Sequence, residues 1–497
     1  MRKISCAAMF LSAAAMTGWC GEAFADFPKP VARASVSSIK NAEAFLTRIG
    51  VSLQIAPMIE KRLDLAPGTL ATDKPVGVAV AADKESWDAA PNGSAMVVAV
   101  LPVVAGKGTI EEIKSKGGFE VIGRDDFATR GGYFFKRGTD HLFVSTGSDH
   151  AAGMVPEDAF KADYAQNPPL AAITGNFALA KAALPVVYKR FMAGGDVMTG
   201  ADVANLDHLS LQFAPQGDNL QMKCWWVPGT MVAPAAHPRP SFPGTVLGEI
   251  HLTRAKGDTN PLLAVLSQSG ELPKFQIVGP LLSLADAASI AITVDGAKQP
   301  TLSVVSQFDG ENQTLADFKT AWADGVKKGS GKALTTYASG GKTVNRGVIE
   351  ASAGGGKTLY IDLLADQHVV YATVSTSDAH LVEQLAAAGM KGQIPAGMVA
   401  IGEIDLGGCL SAFQELGGAA TLGAPAITSA LSGGRIQFTS QVASGYVYSD
   451  FEIPIPVVKN VITLATTLFG TPAAPAGRGT ATPGRNNRAG AGGSPPR

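Results

Sequence analysis

Apolar positions along this chain recur mostly with a period of two, and short stretches with a period near 3.6 interrupt them. Residues 75–80 (Pro-Val-Gly-Val-Ala-Val) predict a strand, with 95–103 as its partner. A short helix follows from Thr109, whose spacing to Glu112 is that of a capping box, and Gly117 closes it. Further strands are predicted over 119–122, 133–136 and 141–146. The same order then returns. Strands over 289–294 and 302–306 precede a helix over 314–325 that opens on Thr314 and Asp317, and strands follow around Val348 and over 359–364 and 368–374. Both series end on an alternating strand that runs into N-cap residues, Ser148-Asp149 and Ser377-Asp378.

Other elements fit this duplicated plan. Gly248-Glu249-Ile250-His251-Leu252 reappears as Gly402-Glu403-Ile404-Asp405-Leu406, and 171–176 is a looser version ahead of a predicted helix over 177–192. Wide hairpins are predicted over 206–214 with 220–227, and over 436–442 with 446–455; Pro215-Gln216-Gly217-Asp218 suits the first turn. An amphipathic helix carrying Ile39, Ala42, Phe45, Leu46 and Ile49 stops at Gly50. Strands joined by tight turns, with single helices between them, predict an α+β fold. It would have two related lobes of mostly antiparallel sheet, with helices packed on one face. Pro234, Pro238, Pro240 and Pro243 place an extended connector over 232–243, between lobes at 26–231 and 244–470.

The run Lys74-Pro75-Val76-Gly77, the strand at 97–103 and the strand-to-helix step from His141 to Asp149 resemble a group of uncharacterised exported bacterial proteins. The likeness is one of order and texture over 35–470. It implies a duplicated α+β body, and it carries over no activity and no functional residue.

The two ends differ from this body. Arg2 and Lys3, the apolar run over 7–16 and Ala23-Phe24-Ala25 have the layout of a secretory signal peptide cleaved near Ala25. Trp19 stands where a lipoprotein signal before Cys20 needs a small residue. The leader predicts export, with the mature protein periplasmic or extracellular. Residues 471–497 hold Pro, Gly, Ala, Thr and Asn with Arg478, Arg485, Arg488 and Arg497, and no acid. That composition predicts a disordered tail.

The charge balance narrows the function classes. The chain has 41 Lys plus Arg against 42 Asp plus Glu, and loss of the leader removes Arg2, Lys3 and Glu22. Such a balance points to no nucleic acid and no anionic membrane as partner. No later run is long enough for a transmembrane helix. Cys224 and Cys409 remain after cleavage and read as two separate buried thiols.

Chemical motifs are sparse. Gly354-Gly355-Gly356-Lys357-Thr358 has the end of a phosphate loop, but Ala351 replaces the first glycine and a strand follows, so it reads as a hairpin turn. Ser339-Gly340-Gly341-Lys342-Thr343 reads likewise. No Gly-x-Ser-x-Gly and no zinc spacing occurs, and no cofactor or metal is indicated. His141 and His368 read as structural, and so does the strand pair Trp225-Trp226, since alternation sends one ring to the core; the alternative reading of that pair is a carbohydrate-stacking platform. The candidate catalytic residues are Glu249, His251, Glu403 and Asp405, two apart on predicted strands and able to share a face. The leading expectation is a non-enzymatic exported protein that binds or scaffolds in the cell envelope. The alternatives are a carrier of an apolar ligand such as lipid, and a hydrolase with a paired-carboxylate site.

Overall fold

A computed structural model of the chain describes residues 32–81, 96–115, 127–130, 133–145, 169–176, 206–228, 232–255, 285–296, 299–308, 334–350, 358–416, 431–443 and 446–469, with a few single positions between them. Among the described residues, alternation builds strands where it was read. In the first half these are β1 (Ala32–Val36), β2 (Val76–Ala81), β3 (Met96–Pro102), β4 (Phe127–Arg130), β5 (Tyr133–Arg137), β6 (His141–Ser145), β7 (Ala171–Asn176), β8 (Leu206–Gln216) and β9 (Asn219–Pro228). Antiparallel pairing sets them side by side in the order β4-β5-β6-β3-β2-β1-β7-β8-β9.

After a short strand β10 (His237–Pro240), the second half repeats the route. Its strands are β11 (Thr245–Thr253), β12 (Ala287–Val294), β13 (Pro300–Gln307), β14 (Thr335–Ser339), β15 (Lys342–Glu350), β16 (Thr358–Asp366), β17 (Val369–Ser375), β18 (Met390–Ile394), β19 (Met398–Ile404), β20 (Ile436–Ala443) and β21 (Tyr446–Pro454). Their order is β14-β15-β16-β17-β13-β12-β11-β19-β20-β21. Strands β9 and β21 then pair antiparallel from Val447↔Trp226 to Pro454↔Asn219. One sheet of nineteen strands therefore runs through both halves, and β10 with β18 forms a separate ribbon.

This overturns the α+β expectation. The described chain is mostly antiparallel β, and its helices are short. They are α1 (Ile39–Arg48), α2 (Ile55–Leu63), α3 (Ile110–Ser115), α4 (Leu381–Ala388), α5 (Leu406–Glu415) and α6 (Ile455–Phe469). Nor do they keep to one face. Cys409 of α5 lies on the face that carries Ile250 and Leu252, as a Cβ built at Gly248 would come 2.7 Å from its sulfur. Val382 and Leu385 of α4 pack on the other face with Ala291, Val305, Leu364 and Tyr371. The physical reason is visible in β13, which is buried at every position and so needs cover on both sides.

Side-chain oxygens cap α1 and α3, and the cap predicted at Thr109 is one of them. Ser38 Oγ caps α1 by accepting from Asn41 N at 3.0 Å. Thr109 Oγ1 accepts from Glu112 N at 3.1 Å, while Glu112 Oε2 accepts from Gly108 N at 2.7 Å. Ser377-Asp378 departs from the expectation, because α4 starts later and has His380 at its cap with no side-chain bond. The Gly340-Gly341 stretch is the β14–β15 turn, with φ of 51° and 77° that suit glycine. The leader, the tail, the strand over 119–122, the helix over 177–192, Ser148-Asp149, most of 314–325 and Gly354–Lys357 lie outside the described residues.

Candidate functional site

The repeated Gly-Glu-Ile motif pairs with itself. On β11 and β19, Gly248 stands opposite Ile404, Glu249 opposite Glu403 and Ile250 opposite Gly402. The glycines are needed for this contact, since a Cβ at Gly402 would come 2.3 Å from Glu249 O and 2.9 Å from the Phe438 ring. Glu249 and Glu403 thus share one face across neighbouring strands, and residue alternation puts His251 on the same face.

Each of these groups already has a partner. Arg239, on β10, reaches over β11 and pairs through Nη2 with Glu249 Oε1. Its Nε lies 3.0 Å from His251 Nε2, which is also 3.5 Å from Glu249 Oε1. A neutral imidazole accepts from Arg239 at that nitrogen, and a protonated one donates to Glu249. Nδ1 lies 2.8 Å from Ser289 Oγ, and whenever Nε2 accepts from Arg239 the Nδ1–H donates to that hydroxyl. The hydrogen bond with His251 and the Arg239 guanidinium hold the Glu249 carboxyl below the usual range, against burial, which raises it. Glu403 is held by Arg435 Nη1, whose Nη2 donates to Val246 O at 2.7 Å.

Asp405 does not join them. It follows the end of β19 and caps α5, its Oδ1 accepting from Gly408 N at 3.0 Å. The expectation of four converging groups therefore reduces to Glu249, His251 and Glu403.

Ser289, His251 and Glu249 together have the composition of a nucleophilic triad. Ser289 and His251 are nevertheless both 0% exposed, so the hydroxyl meets no substrate. Glu249, kept ionised, is also a poor proton donor for paired-carboxylate hydrolysis.

What opens beside these residues is a cleft of about 270 Å³. Arg239 and Glu249 form one side, and Glu403, Gln437, Asp450 and Glu452 continue it across β19, β20 and β21. Register explains the line, since Glu403 pairs with Gln437, Gln437 with Glu452, and Glu452 with Gln221 of β9. Asp450 is fixed through Oδ2, which accepts from Gln221 Nε2 and Tyr448 Oη, each at 3.0 Å. Burial and that bond push the Tyr448 hydroxyl up to about 12.

Sequence reasoning missed Arg239, Ser289, Arg435, Asp450 and Glu452. The last two were legible in part, because Tyr448, Asp450 and Glu452 alternate along a predicted strand. Arg239 sat between two prolines of the expected connector and gave no such signal. Cys224 and Cys409 are unpaired thiols, and burial pushes both up to about 11, which leaves them protonated at neutral pH. Among the described residues no group of three or more His, Cys, Asp or Glu could hold a metal ion. No helix of the described residues is long and apolar enough to cross a membrane.

No family model and no curated protein matches the chain. Among solved structures, crystal forms IV and III of TP0453 align at 11% identity with a TM-score of 0.24. They cover 40% of this chain, and 76% and 77% of theirs. A likeness at that level assigns neither a fold nor a function to this protein.

Proposed function

We propose that this is an exported protein that works by binding, and that it takes a polar ligand in the cleft between β10 and the central strands. The observation that carries the reading is the cleft's lining. Gln437 and Glu452 are exposed there and their side chains have no hydrogen bond or ion pair among the described residues, while Glu249 and Glu403 behind them are each paired with an arginine. Binding rather than catalysis follows from the buried Ser289 and the ionised Glu249. The polar lining favours such a ligand over a lipid.

The leader over 1–25 supports delivery to the periplasm or beyond. Two strand series with one order of pairing support an internal duplication, in line with the resemblance to exported proteins of duplicated body. The prolines of 232–243 mark the division between the copies.

A thermal-shift panel of neutral oligosaccharides, polyamines, amino acids, dicarboxylates and nucleotides tests the reading. At least one class is expected to raise the Tm of the wild type and to leave the Gln437→Ala/Glu452→Ala variant unmoved. A panel with no cleft-dependent stabilisation would overturn it.

A further inference from the structure

We infer that the ligand of this cleft is a neutral carbohydrate, stacked on Trp225 and Tyr448; the inference rests on the cleft reading above. Three observations on one sheet face carry it.

The first is aromatic. Trp225 of β9 and Tyr448 of β21 are register partners whose ring centroids lie 5.3 Å apart at 46°. Both are half-buried, and alternation puts them on the face of Asp450 and Glu452. Tyr448 donates to Asp450, a lining residue, so its ring stands beside the end of the cleft with Trp225 next to it, and neither ring is part of the lining itself. The opposite face of the same strands is the covered one, where Leu220 and Ile453 pack with Ile455 and Val458 of α6. An aromatic ring offers a flat apolar surface with a negative face, which suits the C–H bonds on one side of a pyranose ring.

The second is charge. The lining shows four carboxylates, yet Arg239 pairs with Glu249 and Arg435 with Glu403. Asp450 stands in register with Lys223. Asp450 and Glu452 have no ion pair among the described residues, so the cleft keeps a small net negative charge that disfavours an anion. What it offers is hydrogen bonding. Gln437 supplies both donors and acceptors, Thr439 a hydroxyl and Glu452 a strong acceptor, and together these match vicinal hydroxyls.

The third is length. From β9 to β19 the polar band crosses three inter-strand spacings, about 14 Å. That is the reach of a short oligosaccharide and more than one ring needs.

Calorimetric titration of the purified chain with chitotetraose, cellotetraose and maltotetraose tests the inference, with spermine as the cationic probe. At least one tetrasaccharide is expected to bind. Trp225→Ala should weaken it by about tenfold, equivalent to about 1.4 kcal/mol, and Trp225→Tyr should keep most of the affinity. Gln437→Ala and Glu452→Ala, both at exposed positions, give the same direction without risk to the fold. Tetrasaccharides that fail to bind, or that bind Trp225→Ala and Gln437→Ala as well as wild type, overturn the carbohydrate assignment. Spermine binding that needs Glu452, with no sugar binding, would remove the carbohydrate and keep the cleft. Cleft-dependent stabilisation by none of the panel would remove both.

Discussion

Glu249 shows how pattern can place a residue on the right face and still miss the partner that meets it there. Its alternation with His251 predicted a shared face, and the face exists. The pattern could not show that Arg239 would arrive from a segment ten residues away and neutralise the pair. A carboxyl held below its ordinary pKa stabilises the fold above the unfolded value, about 4.3, and the contribution disappears as pH falls through the lower folded value. Glu249→Gln should therefore lower the urea midpoint at neutral pH, and the difference from wild type should vanish on acidification below the carboxylate range. A difference that persists in acid would contradict the assignment. A more deeply buried pair makes a larger effect. Arg346 donates to both oxygens of Asp362 at 2.7 Å, under the Tyr337 and Tyr360 rings. The Asp362 side chain is only 3% exposed. Arg346→Met leaves that carboxylate unmatched and should cost about 3–5 kcal/mol in chemical unfolding, while adding Asp362→Leu should restore most of it.

Elements were read well where local chemistry decides them. The hydroxyl of Thr109 begins a helix, and Gly217, at φ 55°, turns β8 into β9. Thr109→Ala should cost about 1 kcal/mol, measurable by denaturant unfolding. Asp405→Ala should cost a similar amount through α5 and should leave ligand binding in the cleft unchanged, since Asp405 does not line it. A loss of binding in that variant at unchanged stability would return Asp405 to the site. Where the cap was misplaced, at Ser377-Asp378, the serine found local turn bonds instead. Ser377 Oγ accepts from Ala379 N at 3.2 Å, which is the competition that makes serine an uncertain marker of helix starts. The ribbon of β10 and β18 was invisible for another reason. Its partners lie about 150 residues apart, and prolines disguise one of them.

At the scale of the molecule, the seam between β9 and β21 decides the architecture. Each is the last strand of its own series, and each would expose an unpaired edge if the halves stood alone. Their pairing joins two sheets into one and assembles the polar band that crosses it. Amides of 219–228 and 446–454 that face the seam should exchange with deuterium as slowly as those of interior strands such as β12, and fast exchange there would show that the halves do not join. Among the described residues, the order of strands along the chain, the hairpins and the helix start at Thr109 were legible in the sequence alone. Each depends on residues close in the chain, where period, turn chemistry and capping act directly. The tertiary structure alone decided that the sheet is continuous, that both its faces are covered in the second half, and that Arg239, Gln437, Asp450 and Glu452 meet Glu249 and Glu403. Those outcomes depend on which edge finds which partner across hundreds of residues, and edge pairing is made by backbone groups that every sequence shares.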